Sequence, residues 1–435
     1  MIMTLLSAIG DHFGKCCIAL GVLCVVLSPS SAFGENWPCY RGPAHNGIST
    51  EKISKAWKEA EPRILWKAPL TDGLSSFAVA EGIACTLIRR DANGSSQEVC
   101  VALDAASGNE LWATPVGLAK YDGGGDSGTK ENRGGDGPRS TPSIEDGRVY
   151  VNTAYLVLHC LDAKTGKILW TKDLAKEFGG KLIPWQNAAS PLIEGEFIYV
   201  NANGSDQCLV ALKKKDGAIA WKGQNDKMTH ATPIATTIQG MRQVIFFAQS
   251  GLVSVEPSTG GVLWRYPFEY KVSTAASPVV AGDWVYCSAG YDVGAGLVRI
   301  AREGDKMTAK QVWRKPKELP NHWSTPVYYQ GHLYGMFSFK EFGSGPLKCV
   351  ELESGVIKWS QNGFGPGNVI LADGHLLALD DQGTLVLVAA TPSAYQEVGR
   401  LKAIEGKCWS TPALSNGRLY VRSTKEGACI DLSPK

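Results

Sequence analysis

Charge is scarce in this chain and nearly cancels. Only 20% of its 435 residues are charged, and 44 Lys+Arg against 42 Asp+Glu leave a formal net charge of +2. An electrostatic nucleic-acid binder needs a concentrated basic face, so no nucleic-acid partner is expected. Long apolar runs are also missing. The longest, Cys16 to Leu27, is about 12 residues against the roughly 20 that span a bilayer as a helix, so no transmembrane segment is expected. There is no C-x-x-C, no P-loop, no Ser-His-Asp signature and no G-x-G-x-x-G inside a βαβ unit. Zinc, nucleotide and acyl-transfer chemistry are therefore unsupported by motif, and neither a catalytic residue nor a metal ligand is assigned. The hydrophobic share of 44% is too high for a disordered chain.

What is present begins with a leader. Lys15 precedes the apolar run, Ser28-Pro29-Ser30-Ser31 breaks it, and Ala32-Phe33-Gly34 places small residues at −3 and −1 of a cleavage site. That is the layout of a secretory signal peptide over residues 1–34, cut near Gly34. The mature protein is expected to be periplasmic or secreted. Neither Lys15-Cys16 nor Leu23-Cys24 has the small residue that a lipid-modified cysteine needs before it. Three of the 12 cysteines leave with the leader, and the nine that remain lie mostly inside apolar runs such as Leu158-His159-Cys160-Leu161. They read as small buried hydrophobes, with a disulfide left open for Cys85 and Cys100 on neighbouring strands.

The rest of the chain repeats itself. A small residue, then Ser or Thr, then Pro opens an apolar strand at Ser140-Thr141-Pro142, Ala189-Ser190-Pro191, Ala231-Thr232-Pro233, Ala276-Ser277-Pro278, Ser324-Thr325-Pro326 and Ser410-Thr411-Pro412. Ser75-Ser76-Phe77 and Gly365-Pro366-Gly367 are degenerate copies, making eight. From Pro142 the steps are 49, 42, 45, 48, 40 and 46 residues. A second element follows, an acidic residue, a Gly-containing turn and a short strand ending in Trp, as in LDAKTGKILW ending at Trp170. The paired turns and short β-rich strands fit four strands per unit, which is one propeller blade of about 46 residues. The fold class is thus all-β, an eight-bladed propeller of four-stranded antiparallel blades over residues 63–435, preceded by a lead-in at 35–62. The eighth copy stops before its last strand, and Arg63-Ile64-Leu65-Trp66 supplies it from the other end, closing a monomeric ring. Trp66, Trp112, Trp170, Trp221, Trp264, Trp313 and Trp359 are expected to dock on the turn of the next blade.

Leu161-Asp162-Ala163-Lys164-Thr165-Gly166-Lys167-Ile168-Leu169-Trp170 resembles the tryptophan-docking repeat of the PQQ-repeat propellers, which include quinoprotein alcohol dehydrogenases and the BamB outer-membrane assembly lipoprotein. The lead-in Trp37-Pro38-Cys39-Tyr40-Arg41-Gly42-Pro43 is similar to that of secreted bacterial members of the group. For the dehydrogenase branch the resemblance implies PQQ and Ca²⁺ on the propeller axis, an Asp base and a disulfide between adjacent cysteines. The one adjacent pair here, Cys16-Cys17, lies in the leader. No cofactor is therefore expected, and a non-catalytic binding or scaffold role toward an envelope protein or extracellular ligand leads, ahead of a PQQ- and Ca²⁺-dependent dehydrogenase and a carbohydrate-binding propeller. The candidate ligand surface is the axial mouth, where Arg139, Asn187, His230, His322, Trp323, Lys407 and Trp409 precede the inner strands. Their aromatic and cationic groups suit a planar, sugar or anionic ligand. The inserted loop Tyr121 to Gly137 carries Asp122, Asp126, Asn132 and Asp136 as weak Ca²⁺ donors, and it is expected to fold over the mouth beside Arg139.

Overall fold

The computed structural model describes residues 34–92, 94–121, 135–272, 274–338 and 343–434. The leader before Gly34, residues 122–134 of the inserted loop and Asn93 lie outside them. Eight antiparallel sheets of four strands follow one another in chain order, and the outer strand of the last is Ile64–Pro69, paired with Glu426–Asp431. The only helix among the described residues is Leu174–Phe178, and none is long and apolar enough to cross a membrane.

The blade sequences are apolar on both sides because each blade is buried on both sides. In Arg148–Asn152 of blade 2, Val149 and Val151 pack on Cys85, Cys100 and Ala102 of blade 1. The alternate residue Tyr150, with Cys160 on the next strand, packs on Ile198, Val200 and Val210 of blade 3. Alternation along the pleat therefore selects the neighbouring blade and not core against solvent. This is also where the cysteines go. All nine are buried and free. Cys85 stands opposite Ala102 and Cys100 opposite Leu87, so their thiols are diagonal neighbours and form no disulfide.

Two devices join the blades. The outer one is the tryptophan. Trp112 Nε1 donates to Ala163 O at 2.9 Å in the next blade, and its ring lies on Gly166, where an added Cβ would meet the indole at 2.6 Å. Gly166 has φ +70°, so the position demands glycine both for its backbone and for the approach of the ring. Trp66, Trp170, Trp221 and Trp313 donate in the same way to Ala105, Lys214, Pro257 and Leu352. Trp359 donates to Thr391 O in a turn without glycine. Trp264 differs. Its Nε1 donates to Gln243 Oε1 within its own blade at 2.7 Å. The next blade there offers the long hairpin Gly294–Glu303 and Lys306–Lys315 in place of the short acidic turn.

The inner device was not foreseen. The backbone N–H of the middle residue in one Ser/Thr-Pro triplet donates to the side-chain hydroxyl of the next: Ser76 to Thr141 at 3.0 Å, Thr141 to Ser190 at 2.9 Å, Ser190 to Thr232 at 3.0 Å and Ser277 to Thr325 at 2.9 Å. Thr411 donates to Ser76 Oγ at 2.8 Å and carries the series across the ring closure. These residues are buried, so the hydroxyl satisfies an N–H at the axis that would otherwise stand unpaired.

The lead-in is part of the ring. It crosses the end of the axis where the inner hairpins turn, which we call the base. Trp37 exchanges backbone hydrogen bonds with Val79 of blade 1, and Pro38 O accepts from Ile144 N of blade 2. Ile48–Ser49 then adds a parallel fifth strand to blade 7 through Leu371 and Ala372. Glu51 accepts from Asn416 N and Gly417 N at the turn of blade 8, and Lys52 and Lys55 pair with Asp373 at the turn of blade 7.

Candidate functional site

The opposite end of the axis is the mouth, where the inner strands begin. The structure brings most of the sequence candidates together there. The indoles of Trp323 (blade 6) and Trp409 (blade 8) lie with centroids 4.5 Å apart, tilted 32°. Blade 7 lies between them but contributes Gly363, Gly365 and Gly367. That lack of bulk lets Trp323 reach across, its Nε1 donating to Pro366 O at 3.0 Å. His322 stands edge-on to Trp323 at 4.9 Å, and Tyr291 edge-on to His322 at 5.3 Å.

Charges extend the cluster toward blade 2. Lys407 Nζ sits 4.9 Å from the Trp409 ring centroid and 2.7 Å from Asp136 Oδ1. Asp136 Oδ2 is 3.9 Å from Arg139, whose guanidinium stands 5.9 Å from the Tyr121 ring. Tyr121 in turn donates to Glu98 Oε1 at 2.8 Å, and Ala154 N donates to Glu98 Oε2 at 3.0 Å. Glu98 is fully buried, and burial pushes its carboxyl up to about 7 against these two hydrogen bonds and the Arg139 charge. His230 is pushed down to about 4, chiefly by burial and then by Arg139, so it is neutral at pH 7. Arg139 itself is lowered by burial.

Asn187 is placed differently. Its amide donates to Thr153 O and Ala189 O and accepts from Ala189 N, so it shapes its own loop. Asn321, beside the candidates in sequence, is likewise engaged by Tyr286 and Met336 O. Asp136, read from sequence as a weak Ca²⁺ donor, is an ion-pair partner of Lys407. Asp122, Asp126 and Asn132 lie outside the described residues. Glu98, Tyr121 and Tyr291 were missed. The legible signal for Glu98 was a carboxylate in the otherwise apolar strand Glu98-Val99-Cys100-Val101.

Among the described residues, the mouth side chains pack on one another. A planar ring between the two indoles would need contacts of roughly 3.5–4.0 Å on each face, about 7–8 Å in all, and their centroids are only 4.5 Å apart. The two carboxylates are held by Lys407, Arg139, Tyr121 and Ala154 N. Neither of these described carboxylates is therefore free for Ca²⁺ beside a quinone. Among the described residues no three His, Cys, Asp or Glu side chains are grouped to hold a metal ion.

Comparison with known proteins places this geometry. The family model of the outer membrane protein assembly factor BamB matches residues 95–361. Tetrathionate hydrolase of Acidithiobacillus ferrooxidans is 25% identical over 250 residues, 58% of this chain and 42% of the hydrolase. BamB of Moranella endobia is 24% identical over 258 residues, 57% of this chain and 64% of its own. The quinoprotein ethanol dehydrogenase of Pseudomonas aeruginosa is 28% identical over 172 residues, 34% of this chain and 27% of the dehydrogenase. The match therefore spans less than two thirds of each of these relatives. Among solved structures, BamB from Moraxella catarrhalis superposes with a TM-score of 0.58 at 14% identity, covering 85% of this chain and 100% of that one. Quinohemoprotein alcohol dehydrogenase from Comamonas testosteroni gives 0.64 at 13% identity, covering 92% and 81%. At such identities the likeness is one of fold, which many activities share.

Proposed function

We propose, on the premise that this chain belongs to the family of the outer membrane protein assembly factor BamB, that it is an exported, non-catalytic binding protein of the cell envelope. Its mouth face serves as the docking surface for an envelope protein. The observation that carries this reading is the aromatic and cationic cluster at the mouth: two indoles 4.5 Å apart, a cation over one of them and an ion pair beside it. Aromatic and cationic side chains of this kind anchor protein interfaces. The periplasm or the exterior is the compartment that the leader implies.

The test pairs two measurements. Added PQQ and Ca²⁺ should leave the melting temperature and dye-linked alcohol oxidation unchanged; stoichiometric PQQ binding with turnover would establish the dehydrogenase reading instead. Cross-linking from detergent-extracted envelopes should recover an envelope protein with the wild type and lose it with Trp323→Ala/Trp409→Ala. Recovery undiminished by that variant would move the docking surface elsewhere on the ring.

A further inference from the structure

The lead-in does not fill the base completely. Its segment Arg41–Asn46 faces the inner strands of blades 4 and 5 across a cavity of about 370 Å³. The lead-in hydrogen-bonds to the inner strands of blades 1, 2 and 7, and at blades 4 and 5 the cavity takes its place. That volume lies within the range of small-molecule sites. One wall is apolar, with Ile234, Ala235, Val279 and Val280. The other is polar, with Arg41, His45 and Arg242, and no carboxylate lines the cavity.

The charges of the wall are unequal. Arg242 is 45% exposed and carries its own counter-ion, with Nε and Nη2 donating to Glu194 at 2.8 and 2.6 Å. His45, pushed down to about 4 by burial, is neutral at pH 7. Arg41 is different. It is 2% exposed and its guanidinium donates only to neutral carbonyls, Thr325 O at 2.7 Å, Asn46 O at 2.7 Å and Pro326 O at 2.8 Å. Its buried Nε has no hydrogen-bond partner, and no carboxylate pairs with it, among the described residues. A guanidinium removed from water without a counter-ion is costly, and burial lowers its pKa to about 10. A buried uncompensated cation beside an apolar-walled cavity is a half-site for an anion that brings an apolar body with it.

We propose that this cavity binds a terminal carboxylate carried on a short branched apolar stem. The carboxylate meets Arg41, and the stem lies on Ile234, Ala235, Val279 and Val280. A free short-chain acid and the C-terminus of an extended peptide share that chemistry. The site is separate from the mouth and stands independently of the function proposed for it.

Saturation-transfer NMR and calorimetry on the mature protein would test it with four probes: 3-methylbutanoate, its amide, the acetylated tripeptide Gly-Val-Val with a free carboxylate, and the same peptide amidated. At least one carboxylate should bind, and its amide should bind at least about tenfold more weakly. Tighter binding of the peptide than of the free acid identifies a chain terminus as the source, and the reverse order identifies a small acid. Ala44→Trp, at an exposed position of the cavity rim, should abolish binding while leaving the melting temperature intact. Arg41→Lys should weaken it. Equal binding of acid and amide, binding unaffected by Ala44→Trp, or no binding of either carboxylate up to about 10 mM would overturn the proposal.

Discussion

The two ends of the propeller axis are built by different means. At the mouth the described residues meet through side chains, an indole pair and ion pairs contributed by loops of blades 2, 6 and 8. At the base they meet through main chain, a strap that pairs with inner strands and sends one guanidinium to three carbonyls. Side chains can change rotamer without breaking the sheets, whereas a paired backbone cannot leave without exposing unpaired groups. The mouth is therefore the end that can rearrange, and the base is the end that fixes the ring.

Trp37→Ala at the base should have the largest effect, a loss of about 3–5 kcal/mol in urea unfolding, because a fully buried indole is removed. Trp323→Ala/Trp409→Ala should cost clearly less than that; an equal loss would erase the distinction between the ends. Arg41→Gln should cost about 3 kcal/mol, since buried carbonyls lose charged donors.

Glu98→Gln should act with the opposite sign. The native carboxyl titrates near 7 against an ordinary value of 4.5, so the folded state holds a proton that the unfolded state has already lost across that window. Wild-type stability then falls as pH rises from 4.5 to 7, and the amide escapes the loss. At pH 8 the variant should be more stable by on the order of 2 kcal/mol, with the difference vanishing below pH 4.5 in paired thermal melts. A pH-independent difference would place the carboxylate's cost elsewhere. Thr141→Val should give the smallest change, about 1 kcal/mol for the one bond that Ser76 N–H donates to the Thr141 hydroxyl. A larger loss would mean that the inner hydroxyls act as a coupled set.

The ring was legible because its unit recurs eight times in phase, and the complementary fragments at Ile64 and Asp431 announced the closure. Trp264 was the tryptophan that departed, because docking depends on the turn of the following blade, and that blade replaces its acidic turn with a long hairpin. The mouth residues were legible as a list. Their stacking was not, since Trp323 and Trp409 meet only because glycines empty the blade between them. The hydroxyl series was written openly as Ser and Thr before Pro, yet its purpose appears only when successive triplets stand side by side. The strap was least legible, for Arg41-Gly42-Pro43 has no periodicity to read, and its meaning lies in carbonyls of blade 6 far along the chain.

The closure of blade 8 also sets an order of events. Ile64–Pro69 is made before the strands of the other blades, and its partner Glu426–Asp431 after them. The earlier strand must wait for that partner until the intervening blades have been made, so the ring locks last. Pairings of such sequence separation form slowly. The final strand then acts as a clasp that shuts once.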